Sequence, residues 1–205
     1  MSKFGIIKQV IKDAWRGFRL DFLASRYDKY AYKDRTATVL MPSIICKNNV
    51  YLYEHTTIGE HSKIQAAHAK FIMKRNSIAS FSLTAICDNH LFFTPGTYPS
   101  GPGWSDGESK DILLDEGVWI GANVTLLAGV HIGRGCIVAA GSVCLGNREY
   151  PPYTVIAGVP AKVIKFRFSL EDQFGHDNMV FSEDERINRE VLRSNFERIS
   201  EQLKK

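Results

Sequence analysis

From residue 114 to residue 144 an apolar side chain returns at every sixth position: Leu114, Ile120, Leu126, Ile132, Val138 and Cys144. In the five sextets that start at Leu114, Ile120, Leu126, Ile132 and Val138, the second position is small or acidic at Asp115, Gly121, Gly133 and Ala139, with Leu127 the exception. The fifth position is compact throughout, at Val118, Val124, Val130, Cys136 and Ser142. With 44% of the chain apolar, six such residues in register arise by chance with a probability of about 1%. A helix repeats its apolar face about every 3.6 residues and a strand every second residue, so a period of six fits neither. It fits a short flat strand followed by a corner, one side of a triangular coil.

Three such sides close a coil, and the next coil stacks about 4.8 Å away through parallel backbone hydrogen bonds. The aliphatic residue then points into the prism, and small residues and glycine serve the corners, where the backbone bends and can take positive φ. The expected fold class is mainly β, a left-handed parallel β-helix (a hexapeptide-repeat solenoid), an exception to the right-handed crossover rule. Upstream, the same six-spacing runs through Leu40, Cys46, Leu52, Ile58 and Ile64. It slips by two residues and resumes at Ile72, Ile78 and Thr84. Thirty residues separate Thr84 from Leu114, a multiple of six, so the intervening segment is expected to loop out while the register is kept.

That segment, within 87–111, carries Pro95, Pro99 and Pro102 with several glycines, and cannot continue the repeat. Its aromatics Phe92, Phe93, Tyr98 and Trp104 and acids Asp106, Glu108 and Asp111 suit a functional loop as well as one packed on a neighbouring subunit. Residues 3–30 place Phe4, Ile7, Ile11, Trp15, Phe18 and Phe22 at helical spacing among Lys3, Lys8, Lys12, Arg16, Arg19 and Arg26. Such a basic amphipathic helix fits either an anionic membrane surface or packing on its own domain or a neighbouring subunit. The expected organisation is a helical segment at 1–35, the β-helix at 36–165 and a helical tail at 166–205. In the tail, Ser169 is expected to cap a short helix, and Ser182 with Glu185 to form the capping box of a longer one.

The net charge of +4 and pI near 8.8 suit a small anionic ligand, and no basic aromatic motif for nucleic acid appears. The four cysteines, Cys46, Cys87, Cys136 and Cys144, have neither a CxxC nor a zinc spacing and read as small buried hydrophobes in a reducing compartment. No membrane span or secretion signal is evident, so the expected location is cytoplasmic, with peripheral contact at the inner membrane face only under the membrane-surface reading of the N-terminal helix.

GVWIGANVTLLAGVHIGRGCIVAAGSV followed by PPYTVIAGVPAKVI resembles the C-terminal half of the hexapeptide-repeat acyltransferases, in particular the maltose, galactoside and polysaccharide O-acetyltransferase branch. The resemblance is specific over 114–164 and weaker over 40–90. It implies direct acetyl transfer from acetyl-CoA to a sugar or glycan hydroxyl, without a metal, in a homotrimer whose sites lie between subunits. It places the general base at His90, where the repeat breaks into the loop, and an imidazole exchanges protons near neutral pH. It assigns the oxyanion donor to the backbone N–H of Ala122 and the pantetheine contact to Ala140, eighteen residues on. It makes Trp119 the wall at the thiol end and Lys162 and Lys165 the partners of the nucleotide phosphates.

Where relatives continue with a Thr-Lys-Asp segment, this chain has Arg148, which could replace the missing lysine. Asp88, Asn89 and Trp104 are the acceptor-side candidates, with Asp88 either orienting His90 or capping the turn. An acceptor-binding residue from the preceding coil is open among Gln65, His68 and Asn76. His61, His68 and His90 lack the spacing of a zinc site of the carbonic anhydrase kind, and His55, His61 and His131 read as solvent-facing corner residues. N-acetylation of an amino sugar is the alternative activity, and a non-catalytic trimeric scaffold the alternative class.

Overall fold

The computed structural model describes residues 7, 11, 12, 15, 30–90, 95, 96 and 107–204. Most of the helical segment expected at 3–30, and loop residues 91–94 and 97–106 with Trp104, lie outside those described residues.

The described chain is a parallel solenoid of about six coils followed by two helices. The first three coils are β1 (Tyr32–Lys33), β2 (Thr38–Val39), β3 (Ile44–Ile45); β4 (Val50–Leu52), β5 (Thr57–Ile58), β6 (Lys63–Gln65); and β7 (Phe71–Met73), β8 (Ile78–Ala79), β9 (Thr84–Ile86). The fourth and fifth are β10 (Ile112–Leu114), β11 (Trp119–Ile120), β12 (Thr125–Leu127) and β13 (His131–Ile132), β14 (Ile137–Val138), β15 (Val143–Cys144). The last has two sides, β16 (Glu149–Tyr150) and β17 (Thr154–Gly158), on which β18 (Ala161–Phe166) folds back antiparallel. Sheet I stacks β1, β4, β7, β10, β13 and β16; sheet II runs from β2 to β17 and β18; sheet III stacks β3, β6, β9, β12 and β15.

A two-residue strand sends one side chain out and the next in, so the sixth-position residues become the core. Leu114, Ile120, Leu126, Ile132, Val138 and Cys144 are all fully buried, and Val118, Val124 and Cys136 close the corners behind them. Each fully buried aliphatic side chain contributes roughly 1.5–3 kcal/mol. Two devices let the coils turn and stack. The fourth position of the sextet takes positive φ, at His55, His61, Asn76, Ser82, Asn123 and Asn147 as well as at Gly117, Gly129, Gly135 and Gly141. Gly121, in the second position, answers a different need: a Cβ there would lie 2.6 Å from the backbone nitrogen of Ala140 in the next coil.

The register upstream of the loop differs from the sequence expectation. The inward residues are Val39 and Ile45, not Leu40 and Cys46, and Met73, Ala79 and Ala85, not Ile72, Ile78 and Thr84. Ile78 is 47% exposed while Ala79 is buried. Bulk misleads here: the fully buried large residues of this coil are Phe71, Met73 and Leu83, while the inward residues of β8 and β9 are the small Ala79 and Ala85. Coil one accordingly starts at Tyr32 rather than near Leu40. Cys46 consequently faces solvent, unlike the other three cysteines.

Pro151 and Pro152 suggest by their type an exit from the coil, but the coil continues past them, since β17 pairs with β14 in register. The chain leaves at Val159 and Pro160 and returns as β18. Tail helix α1 (Leu170–Val180) starts at Ser169, whose Oγ accepts the Asp172 N–H at 3.1 Å. The Ser182–Glu185 pair is hydrogen-bonded at 2.8 Å but heads only a 3-10 turn. Helix α2 (Arg189–Leu203) is capped instead by Asn188, which accepts the Glu190 N–H at 2.8 Å. The interruption has a local cause, because the N–H of Ile187 donates to Asp177 Oδ2 at 2.7 Å rather than entering a helix.

Asp177 is the joint between tail and prism. Buried to 2% exposure, it also accepts from Tyr153 Oη at 2.7 Å and Arg134 at 3.1 Å. The Arg134 guanidinium lies 3.7 Å over the Phe181 ring, and Phe166 of β18 stacks on Phe196 of α2 at 4.3 Å.

Candidate functional site

Between paired strands of neighbouring coils the spacing is 18 residues where the repeat is regular, as in Trp119 with Ile137. It is 19 for Val39 with Ile58, 21 for Ile58 with Ala79 and 41 for Ala79 with Ile120. The extra one, three and twenty-three residues all fall between a strand of sheet III and the next strand of sheet I. One edge of the prism has therefore been elaborated coil by coil, and the long loop is its third and largest excursion.

His90 stands on this III–I edge, exposed, at the foot of the loop. The strand before it ends at Ile86, and the loop's two limbs are closed by Gly107 N–H donating to the Asn89 carbonyl at 2.7 Å and Lys110 N–H to that of Cys87 at 3.0 Å. A Cβ on Gly107 would fall 2.4 Å from the His90 carbonyl carbon, so the limbs cross in contact there. Asp88 caps the smaller excursion of the coil before, accepting the N–H groups of Ala67 at 2.7 Å and His68 at 3.0 Å. Of the two roles open to Asp88 on sequence, capping is the one these bonds perform. The same edge holds His68, with Nδ1 3.6 Å from Asp88, and Asp111, whose Oδ1 accepts the Lys70 N–H at 2.7 Å. Of the three candidates in the preceding coil, His68 shares this edge, Gln65 ends β6 beside it, and Asn76 sits on the corner between sheets I and II.

Ala122 and Ala140 occupy the II–III edge, between β11 and β12 and between β14 and β15. They are stacked, as their eighteen-residue spacing requires: Gly141 N–H donates to the Ala122 carbonyl at 2.8 Å. Neither Ala122 nor Ala140 has its own N–H bonded to any of the described residues. Their methyl side chains leave those donors uncovered, with Ala140 exposed and Ala122 half-buried. Trp119 points out of sheet II, 52% exposed, between Ile78 and Ile137 of the adjoining coils.

Lys162 and Lys165 lie on β18, exposed, opposite Ala157 and Val155. Arg148 is on the III–I edge below His90, immediately before β16. A cleft of about 310 Å³ brings Arg148 and Lys162 together with Arg198 and Gln202 of α2 over a floor that includes Tyr150, Val163 and Ile199. Arg198 gave no signal in the sequence, because nothing in a helical heptad marks which exposed arginine will fold over the end of a prism.

The structure thus divides the expected site residues. His90, Asp88, Asn89 and Arg148 fall on one edge, Ala122 and Ala140 on another, with the whole width of sheet III between them. From Ala122 to Ala128 the chain crosses sheet III in six residues, a span of up to about 20 Å at strand rise. A single copy does not bring the imidazole to the open N–H groups.

His131 is not a corner residue. It is half-buried on the outer face of β13, with Nε2 2.7 Å from Asp115 Oδ2. Lys74 Nζ contacts the other oxygen of Asp115 at 2.7 Å. The bond to Asp115 raises the His131 pKa, and His131 and Lys74 together hold Asp115 below the usual carboxylate range against the opposing effect of burial. His55 and His61 do occupy corners, exposed and at positive φ. Among the described residues no three His, Cys, Asp or Glu side chains gather into a metal site, and no helix is long and apolar enough to cross a membrane.

Residues 111–146 match the family model described as bacterial transferase hexapeptide (six repeats). WbbJ of Escherichia coli (strain K12), named as a lipopolysaccharide biosynthesis O-acetyl transferase, is 52% identical over 58 residues, which cover 28% of this chain and 29% of WbbJ. A 2,3,4,5-tetrahydropyridine-2,6-dicarboxylate N-acetyltransferase of Staphylococcus aureus (strain bovine RF122 / ET3-1) is 44% identical over 64 residues, covering 31% of this chain and 26% of the relative. The chain spans less than a third of the length of these curated relatives. Among solved structures, the Vibrio cholerae hexapeptide-repeat acetyltransferase VCA0836 complexed with acetyl-CoA superposes with a TM-score of 0.60 at 23% identity, covering 68% of this chain and 73% of that one. A maltose O-acetyltransferase from Clostridium difficile 630 superposes with a TM-score of 0.60 at 20% identity, covering 68% and 71%. At these identities the shared property is the fold. The match to the hexapeptide model lies in the coils of residues 111–146.

Proposed function

We propose that the chain is an acetyl-CoA-dependent O-acetyltransferase acting on a hydroxyl of a sugar or glycan precursor, and that its coil winds left-handed. The observation that carries the reading is the stacked pair of N–H groups at Ala122 and Ala140, one coil apart and bonded to none of the described residues, and it is supported by a relative named as an O-acetyl transferase that is 52% identical over 58 residues. Two aligned backbone donors beside an exposed indole suit a thioester and the amide-bearing arm behind it. When bound, acetyl-CoA supplies the activated acyl group.

In this reading His90 takes the proton of the attacking hydroxyl and returns it to the departing sulfur, so the imidazole ends each cycle neutral. The Ala122 N–H donates to the oxygen that becomes negative, the Ala140 N–H holds the arm, and Trp119 walls the thiol end. Lys162, Lys165 and Arg148 meet the nucleotide phosphates, while Asn89, Trp104 and the edge fixed by Asp88 face the acceptor. Because His90 and Ala122 lie on different edges, the site draws His90 from one copy and the Ala122 edge from the next, in a homotrimer. The segment before β1 serves that assembly or a membrane surface, and the enzyme works in the cytoplasm.

Acetyl-CoA turnover with a panel of glycosyl acceptors tests the proposal. His90→Ala is expected to lower kcat by roughly 10²–10⁴-fold, and equal turnover by wild type and variant would remove His90 as the base. The Staphylococcus aureus relative, an N-acetyltransferase, supports transfer to nitrogen as the second reading, for which an amino sugar is the acceptor we propose. A base-labile product identifies the ester and a base-stable one the amide.

A further inference from the structure

The II–III edge that carries Ala122 and Ala140 continues below them with side chains of a different kind. The N–H of Gly141 donates to the Ala122 carbonyl at 2.8 Å, that of Asn123 to the Phe81 carbonyl at 3.1 Å and that of Ser82 to the Glu60 carbonyl at 2.8 Å. Ala140, Ala122, Phe81 and Glu60 therefore form one ladder, each about 4.8 Å from the next along the prism axis. Backbone packs on backbone at this corner: a Cβ on Gly121 would lie 2.6 Å from the Ala140 nitrogen, and one on Gly59 would lie 2.5 Å from the Ser80 carbonyl carbon. The ladder side chains then set how far the edge stands open, and they are methyl groups in the fifth and fourth coils but a benzyl group in the third. Phe81 is 49% exposed, Ile78 on the strand leading to it is 47% exposed, and Trp119, the β11 partner of Ile78, is 52% exposed. Three large apolar side chains half open to solvent about one corner are the kind of patch that receives an apolar group from outside.

We propose that Phe81 is the residue that limits acyl-chain length, closing the donor groove one coil below the oxyanion donor so that it takes an acetyl group and rejects longer chains. The inference rests on the proposed acetyl transfer, in which Ala140 holds the amide-bearing arm and Ala122 the carbonyl oxygen. The carbonyl carbon of a thioester is planar, so its sulfur and its acyl chain leave it in opposing directions. An arm that arrives from the fifth coil therefore sends the acyl chain toward the third, where Phe81 stands. One coil step leaves about 4.8 Å between the level of Ala122 and that of Phe81. After one carbon–carbon bond of about 1.5 Å, the acetyl methyl is already near the contact distance of apolar carbons, about 3.5–4.0 Å. A third or fourth acyl carbon would run into the ring, while Ile78 and Trp119 give the methyl an apolar flank.

Calorimetric titration of the full chain with CoA, acetyl-CoA and butyryl-CoA reads this without an acceptor and without turnover. In wild type, butyryl-CoA is expected to bind at least roughly tenfold more weakly than acetyl-CoA, the order of discrimination that a pocket exerts on added methylenes. Phe81→Ala should bring butyryl-CoA to the affinity of acetyl-CoA or above it, while CoA, which carries no acyl group, binds as it does to wild type. Phe81→Tyr keeps the ring and should keep the discrimination, and Phe81→Leu should fall between the two. Equal affinity of wild type for acetyl-CoA and butyryl-CoA, or discrimination that survives in Phe81→Ala, would remove Phe81 as the limit and leave the acetyl-transfer reading in place. Loss of CoA binding in Phe81→Ala would give the ring a structural role and overturn the assignment as well. Binding of none of the three compounds by wild type would remove the donor reading itself and this inference with it.

Discussion

Asp88 receives the N–H of Ala67 at 2.7 Å across 21 residues of chain, tying the foot of the long loop to the excursion one coil earlier. With His68 N–H on its other oxygen at 3.0 Å, the carboxylate acts toward this edge as an N-cap acts toward a helix, satisfying two backbone donors at once. Asp88→Ala is expected to lower unfolding free energy by about 1–2 kcal/mol, and Asp88→Asn, which keeps one acceptor oxygen, by less. Urea unfolding of the two variants checks the order. A loss in Asn as large as in Ala would show that charge rather than hydrogen bonding holds the edge.

The separation of His90 from Ala122 within one copy makes a prediction about mixtures. Ala140 is exposed on the II–III edge, so Ala140→Trp should fold and obstruct the proposed donor groove. Each of Ala140→Trp and His90→Ala is expected to lose acetyl transfer alone. When the two chains are unfolded and refolded together, some interfaces combine an intact His90 from one variant with an intact Ala140 edge from the other, and activity should return. Recovery that never exceeds the sum of the separately refolded variants would place the whole site in one copy.

Much of the prism was readable from its repeat, and the misreadings have a common physical origin. Six-residue spacing identifies a strand and a corner, but a two-residue strand offers two adjacent side chains, and only packing decides which goes in. At 114–144 Trp119, Thr125 and His131 mark the outward neighbours and fix the register for the pairs between them. At Ile78 and Ala79 both are apolar, and it is the larger one that lies outside, 47% exposed. The same applies to the site. His90 was visible because the repeat breaks beside it, whereas the fourth-position turns at Asn76, Asn123 and Asn147 and the arrival of Arg198 over the cleft depend on how elements distant in sequence meet.

The register shift at the first coil can be measured through its thiols. Cys87, Cys136 and Cys144 are buried, and burial pushes their pKa values up to about 12, about 11 and about 12. Neither exposure nor thiolate is then available to a water-soluble disulfide reagent. Cys46 is exposed. One thiol per chain should react quickly under native conditions and the remaining three only on unfolding, and Cys46→Ser should abolish the fast phase. Absence of a fast phase, or a fast phase that persists in Cys46→Ser, would return Cys46 and its coil to a different register.

The outer face of sheet I carries a pH dependence of its own. His131 is raised by its bond to Asp115, so its contribution is complete below the ordinary histidine value near 6.5 and is lost as pH rises through the raised value. Asp115 is lowered by His131 and Lys74, so its contribution is complete above the ordinary carboxylate value near 4 and is lost as pH falls through the lowered one. The two together favour an interval from about pH 4 to 6.5, with decline on either side. With the His131 side chain 33% exposed, solvent screening limits the pair to a small effect, a fall in Tm of about 1–4 °C between pH 6 and pH 8.5. His131→Gln keeps a polar partner for Asp115 but cannot titrate, so its Tm should lose the alkaline part of that fall while keeping the acid limb. An unchanged alkaline slope in His131→Gln would assign it to another group, and a vanished acid limb would mean that Asp115 depends on the imidazolium rather than on Lys74 for its charge.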